Sequence, residues 1–217
     1  TVRINDLAPN FSAKSTQGDI SFHEWSRGSW TILFSHPKDF TPVCTTEVGA
    51  FARYEPEFRK RNCKLLGLSV DSVESHLSWL KDVQETQGSQ VNFPILADEN
   101  LEVSKLYGML PNEELAGNRT PQQNATVRSV FVIDPELSIK MFLCYPMTTG
   151  RNLDELIRVL DSIQLTANFK VATPVNWNKG EKVIIASSVS DDNAKKLFKN
   201  GWVAEKPYLR IVDEPKS

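Results

Sequence analysis

The chain is poor in the features on which several protein classes depend. It has three cysteines, Cys44, Cys63 and Cys144, an odd number with no Cys-x-x-Cys pair. That excludes a disulfide framework and a thiolate zinc site, and it points to free thiols in a reducing, cytoplasmic setting. No apolar run reaches the length of a membrane span. The first six residues, Thr1 to Asp6, lack the apolar stretch of a secretory signal, and a start at Thr1 rather than Met reads as processing or trimming. Formal net charge is only -2, so no global field draws the chain toward nucleic acid. Internal repeats and low-complexity segments are absent.

What is present is an ordinary globular composition, 40% hydrophobic and 24% charged over 217 residues. That suffices for one sizeable core plus a small appendage. Thr31–Ser35, Lys64–Val70, Phe93–Leu96, Ser129–Ile133 and Ile139–Leu143 read as strands. Helices separate the early ones. Ser72 is placed to cap a helix with Val73, Leu77 and Leu80 on one face, and Asn100 to cap another that runs to Tyr107. Alternation predicts parallel pairs, whereas Ser129–Ile133, Asp134-Pro135 and Ile139–Leu143 read as a hairpin, so the sheet is expected to be mixed. Arg119 to Asn124 reads as a polar surface loop. Asn152 caps a helix carrying Leu153, Leu156, Ile157, Leu160 and Ile163. Thr166–Lys182 reads as a linker. A strand at Val183–Ala186, a helix from about Ser190 to Phe198 and a short strand near Tyr208–Val212 follow. This pattern suits an α/β, thioredoxin-like domain over 1–165 and a small α+β domain over 166–217. About 50 residues is marginal for folding alone, so the tail should pack on something.

One cysteine stands apart. Pro37-Lys-Asp-Phe-Thr41-Pro-Val-Cys44 follows the first strand, and Val48, Phe51, Glu55 and Phe58 continue at helical spacing. A helix therefore begins near Thr41, with Thr41 as N-cap, Pro42 first and Cys44 third. The Thr41 hydroxyl is expected to face the Cys44 amide. A thiol in a first helical turn feels the positive end of the dipole. A free thiol ionises near pH ~8.5, and lowering that by about two units requires roughly 2.7 kcal/mol. A helix terminus and one nearby cation supply that much. Cys63 precedes an apolar strand and Cys144 ends one, so both read as core positions.

Pro-x-x-x-Thr-x-x-Cys resembles the active-site motif of the peroxiredoxins. The wider string Phe34-Ser-His-Pro-Lys-Asp-Phe-Thr-Pro-Val-Cys-Thr-Thr-Glu47 is similar to their one-cysteine branch. So are Tyr145-Pro-Met-Thr-Thr-Gly-Arg-Asn152, Gln164-Leu-Thr-Ala167 and Val171-Ala-Thr-Pro-Val-Asn-Trp177, in family order. The resemblance covers nearly the whole chain. It implies a thioredoxin-like fold, a homodimer whose C-terminal segment packs on the partner subunit, and catalysis by Cys44, Thr41 and Arg128. It also implies supporting roles for Pro37, His36 and Glu47, with His36 tuning the thiol and Glu47 holding Arg128. The absence of any cysteine after Cys144 places the chain in the one-cysteine branch.

The implied activity is thiol peroxidation. Cys44 reduces hydrogen peroxide or an organic hydroperoxide, phospholipid hydroperoxides included, and becomes a sulfenic acid. Pro37 and Pro42 restrict the surrounding loop. An external thiol, glutathione by resemblance and in some members delivered by a glutathione transferase, completes the cycle. No metal or other cofactor is needed. Two other classes compete. Some one-cysteine members hydrolyse phospholipids without calcium through a Ser/His/Asp set, which here maps to Ser29, His23 and Glu136. Arg27-Gly-Ser-Trp-Thr31 lacks both flanking glycines of Gly-x-Ser-x-Gly, and Glu136 replaces the aspartate. The third class is a peroxide sensor or holdase that signals through oxidised Cys44.

Overall fold

A computed structural model describes residues 2–112 and 123–216. Most of the expected loop at Arg119 to Asn124 therefore lies outside the described residues. The chain divides into two compact units, Thr1–Leu153 and Asp154–Ser217.

In the first unit, the hairpin β1 (Ser12–Ser15) and β2 (Gly18–Ser21) leads into the short α1 (Phe22–Ser26). Then come β3 (Trp30–Ser35), α2 (Pro42–Lys60), β4 (Cys63–Ser69), α3 (Val73–Gln87), β5 (Ile95–Ala97) and α4 (Glu102–Tyr107). The hairpin β6 (Arg128–Ile133) and β7 (Ile139–Tyr145) completes its sheet. Strand order is β2-β1-β5-β4-β3-β6-β7. Strands β3, β4 and β5 run parallel, while β6 runs antiparallel to β3 and β7 to β6. The sheet is thus mixed, as the sequence predicts. All six residues of β3 are buried, as a strand covered on both faces requires. One core joins Leu33, Leu66, Leu68, Leu96, Phe131 and Ile133 to Phe22 and Tyr107. Elsewhere Phe34 stacks on Phe51 of α2, ring centroids 3.9 Å apart.

Three local expectations are corrected. Helix α3 buries His76, Trp79 and Val83, while Leu77 is exposed. The apolar stripe expected through Val73, Leu77 and Leu80 is rotated because a histidine, His76, occupies the core face. Ser72 does cap this helix, accepting from the Ser75 amide. For α4 the N-cap is Leu101, not Asn100, and the carboxylate of Asp98 accepts from the Val103 and Ser104 amides. Finally, Cys144 is exposed, on the edge strand β7, and is not a core residue.

The second unit holds most of α5 (Leu153–Asn168), then β8 (Val171–Ala172), β9 (Val183–Ile185), α6 (Asp191–Leu197), β10 (Val203–Lys206) and β11 (Leu209–Val212). The four strands form an antiparallel sheet, β10-β11-β9-β8. Ser190 caps α6 by accepting from the Asn193 amide. The stretch 166–182 is no simple linker. It extends α5, supplies β8 and buries Trp177, whose indole donates to the Glu181 carbonyl. Trp177, Leu165, Val171, Val183, Ile185 and Val212 belong to one core. Strand β10 escapes the sequence because all four of its residues are exposed and show no apolar alternation.

Candidate active site

The parallel strand β3 delivers the chain to the loop 36–41 and then to α2. Helix α2 begins at Pro42, with Thr41 extended at φ -122° and ψ 149° as its N-cap. Cys44 is third in the helix and almost wholly buried. Thr41 does not cap through its side chain. Its hydroxyl donates to the Lys38 carbonyl at 2.7 Å, tying the loop to itself, so the expected contact with the Cys44 amide is not made. Phe40, just before it, is exposed and left-handed at φ 55°, a conformation that costs a bulky side chain energy. Pro37 is buried.

Arg128 opens β6 and pairs across the hairpin with Tyr145. Its Nη1 lies 3.4 Å from the Cys44 Sγ and donates to Glu47 Oε2 at 2.6 Å. Its Nε and Nη2 both donate to the Met147 carbonyl, which fixes the plane of the fork. Glu47 sits one turn after Cys44, on the same face of α2. A second arginine, Arg151, grips it: the backbone amide and Nε donate to Oε1, and Nη2 donates to Oε2 at 2.7 Å. The Arg151 Nη1 donates to the carbonyls of Ser35 and Ser129, which joins β3 to β6. Burial pushes the Glu47 carboxyl up, but Arg151, through hydrogen bonds and charge, and then Arg128 outweigh it and hold it below the usual carboxylate range. These three buried side chains carry two positive charges and one negative. One positive charge is left facing the sulfur. Sequence reasoning missed Arg151, although it lies within the Tyr145–Asn152 block.

His36, the residue after β3, is fully buried. Its Nε2 is 2.8 Å from Asp39 Oδ1, and His76 Nδ1 is 2.6 Å from Asp39 Oδ2. Asp39 and His76 are 37 residues apart, and no sequence pattern links them to each other or to His36.

The other cysteines differ in kind. Burial pushes the Cys63 thiol up to about 12, which makes it inert near neutral pH. Cys144 is exposed, with Sγ 3.8 Å from the Ser129 hydroxyl. At the opposite end of β3, the Gly28 amide donates to the Pro135 carbonyl and brings the Ser29 turn near the Glu136 turn. His23 Nε2, however, bonds the Ala8 carbonyl at 2.6 Å. Glu136 is exposed, and its amide donates to Asp134 Oδ1. No hydrogen bond joins Ser29, His23 and Glu136 to one another.

The chain resembles known proteins over nearly its whole length. Residues 4–142 match the AhpC/TSA family, and residues 162–201 match the C-terminal domain of 1-Cys peroxiredoxin. A 1-Cys peroxiredoxin of Dictyostelium discoideum is 48% identical, across 99% of this chain and 86% of its own length. Peroxiredoxin-6 of Homo sapiens is 47% identical, across 98% and 97%. Among solved structures, a cysteine-to-serine mutant of the peroxiredoxin 6 of Arenicola marina superposes with a TM-score of 0.92 at 42% identity, covering 100% of both chains. A yeast mitochondrial 1-Cys peroxiredoxin, studied for thiol resolution via glutathione/thioredoxin systems, gives 0.91 at 50% identity, covering 98% of this chain and 100% of that one. The chain belongs to the AhpC/TSA family, in its one-cysteine peroxiredoxin branch, and is a thiol-dependent peroxidase.

Proposed function

We propose that Cys44 is the residue oxidised by peroxide, with Thr41 and Arg128 as its catalytic partners. The observation that carries this reading is the Arg128 Nη1 held 3.4 Å from the Cys44 Sγ by Glu47 and Met147. The Cys44 thiolate attacks the terminal oxygen of a hydroperoxide. The S–O bond forms, the O–O bond breaks, and the sulfur loses two electrons. Arg128 and the first-turn amides of α2 hold the oxygens and stabilise charge on the one that leaves, while the Thr41 hydroxyl, whose hydrogen is on the Lys38 carbonyl, accepts the hydroperoxide hydrogen. Water or an alcohol departs, and Cys44 is left as a sulfenic acid. Pro37 and Pro42 restrict the loop, His36 tunes the site, and Glu47 positions Arg128. Substrates are hydrogen peroxide and organic hydroperoxides.

An outside thiol returns Cys44 to its reduced form, and excess peroxide drives it to sulfinic acid. Glutathione, with or without a glutathione transferase, is the reductant this reading favours, in the cytoplasm. Support for an outside thiol comes from Cys63, which is buried and inert. Exposed Cys144 is the competitor. Residues 166–217 act as a homodimer element, and exposed Leu197, Val203 and Tyr208 are consistent with a surface that another chain covers.

A panel of reductants tests the turnover. Glutathione or dithiothreitol should restore the thiol after one equivalent of peroxide, and non-reducing electrophoresis should show monomer-sized chains. A quantitative Cys44–Cys144 disulfide in each cycle would make this a two-cysteine enzyme instead.

A further inference from the structure

Helix α3 presents a histidine to the core where an apolar residue is the rule. Hydrogen placement in its cluster follows from the acceptors. His76 Nε2 lies 3.0 Å from the Leu96 carbonyl, which can only accept, so Nε2 carries a hydrogen. Each oxygen of Asp39 faces a ring nitrogen, and Oδ2 also accepts from the Ser75 hydroxyl. Burial pushes the Asp39 carboxyl up, but hydrogen bonds from His36 and His76 outweigh it and hold it well below the usual range. The carboxylate is therefore the acceptor in both contacts, and the hydrogens sit on His76 Nδ1 and His36 Nε2. Burial is the largest influence on His36 and pulls its pKa down against Asp39, so that ring keeps one proton. The lone pair then falls on His36 Nδ1, which is buried and meets no hydrogen-bond partner. One nitrogen of each ring and one Asp39 oxygen lie within 4.8 Å of one another. Their facing atoms are already joined by hydrogens, so this is a hydrogen-bonded cluster and not a cation site.

We propose that His76 is a positioning residue of the peroxidase site, acting through Asp39 to hold the ring proton of His36 on Nε2 and keep Nδ1 as a bare, buried base. This rests on the reading of His36 as part of the Cys44 site. Two paths join the cluster to that site. Asp39 lies in the loop that carries Thr41, and its amide donates to Asp71 Oδ2. Trp79, one turn after His76, packs 5.0 Å from the His36 ring, and its indole donates to the hydroxyl of Thr45, next to Cys44. The Thr45 hydroxyl in turn donates to the Thr41 carbonyl. The charged and titratable groups around His36 are Asp39, His76 and Asp71, and Lys38 lies 3.8 Å from Asp71.

Without His76, a buried Asp39 keeps only Ser75 on Oδ2 and favours its neutral form. The new carboxyl proton then points at His36 Nε2, and the ring proton moves to Nδ1. An apolar residue at 76 should flip the His36 tautomer. Asparagine places an amide near the former Nδ1 position and should preserve it. Glutamine reaches toward the former Nε2 position and should not.

Nitrogen-15 NMR of the full chain tests this, because only three histidines contribute. The wild type should show His36 protonated on Nε2 alone and His76 on both nitrogens at neutral pH. His76→Leu and His76→Gln should move the His36 proton to Nδ1 and slow Cys44 oxidation about tenfold or more. Both should also add an ionisation to the pH–rate profile, while His76→Asn stays near wild type in tautomer and rate. Wild-type His36 protonated on Nδ1 would overturn the proposal, whatever the variants do. So would rate loss in His76→Gln with the tautomer unchanged, which marks a merely structural role. A tautomer flip with no change in rate would leave the hydrogen placement standing and overturn the positioning role, and with it the reading of His36 as part of the site.

Discussion

The two ends of β3 carry two candidate sites, and they are built differently. At its C-terminal end, buried Arg128 and Arg151 both hydrogen-bond to buried Glu47, and Arg128 also reaches one sulfur. At its N-terminal end, Ser29, His23 and Glu136 share a neighbourhood but no bond, and Glu136 lies in solvent. Buried charge is costly unless it is paired, so a cluster left with one unbalanced positive charge has a use for a negative one. The other end has no such demand. Proximity of the right residue types is weak evidence, whereas a buried charge imbalance aimed at a nucleophile is strong.

The contrast is broken most severely by exchanging nucleophiles. Cys44→Ser should abolish peroxide consumption. If Cys44→Ser kept an undiminished rate, the C-terminal end of β3 would not be the active end. Glu47→Gln comes next. It leaves two buried guanidinium groups without a counter-charge, and loss of one partner of such a network costs about 3–5 kcal/mol. The sign with pH is checkable. The carboxyl of Glu47 is lowered in the folded state, so its stabilisation is complete above the unfolded value, about 4.5. It is lost as pH falls through the lower folded value. Melting temperature against pH should therefore fall less steeply in acid for Glu47→Gln than for wild type, from a lower plateau at neutral pH. Equal acid slopes would remove Glu47 from the account.

On rate, Arg128→Gln should slow peroxide attack by more than about tenfold, each factor of ten being about 1.4 kcal/mol. Arg128→Lys should recover only part, because a point charge cannot bond Sγ, Glu47 and Met147 at once. An unchanged second-order rate constant in the glutamine variant would refute the assignment. The smallest effect belongs to the other end of β3. Ser29→Ala should change peroxidase rate and stability by no more than a surface substitution does, about 0.5 kcal/mol. Fatty-acid release from phospholipid that vanishes in Ser29→Ala would restore that end as a second active site.

Much of this was legible in the residues. The helix start at Pro42 was set by local chemistry, a proline at the first position after a β-extended threonine. The β6–β7 hairpin was set by two apolar runs around Asp134-Pro135. Partners brought in by the sheet were not legible. Arg128, Arg151 and Glu47 meet only because β6 lies beside β3 and the chain returns after β7. His76 was hidden by the rule that histidines avoid cores, and that single omission rotated the predicted face of α3. Thr41 shows the limit of capping rules: the position is right, but the hydroxyl prefers the Lys38 carbonyl. Cys144 shows the limit of apolar runs, because an edge strand has an exposed face whatever its composition.

The most direct measurement is site-resolved oxidation of the whole chain. One equivalent of hydrogen peroxide is added to the reduced protein, sulfenic acid is trapped with a dimedone-type reagent, and all three cysteines are quantified by mass spectrometry. The exposed Cys144 and the buried Cys63 are internal controls for access and for burial. The trapped label should fall on Cys44 alone, and Arg128→Gln should delay it. Label accumulating on Cys144 as fast as on Cys44 would mean that exposure, and not the buried arginine, selects the reactive sulfur.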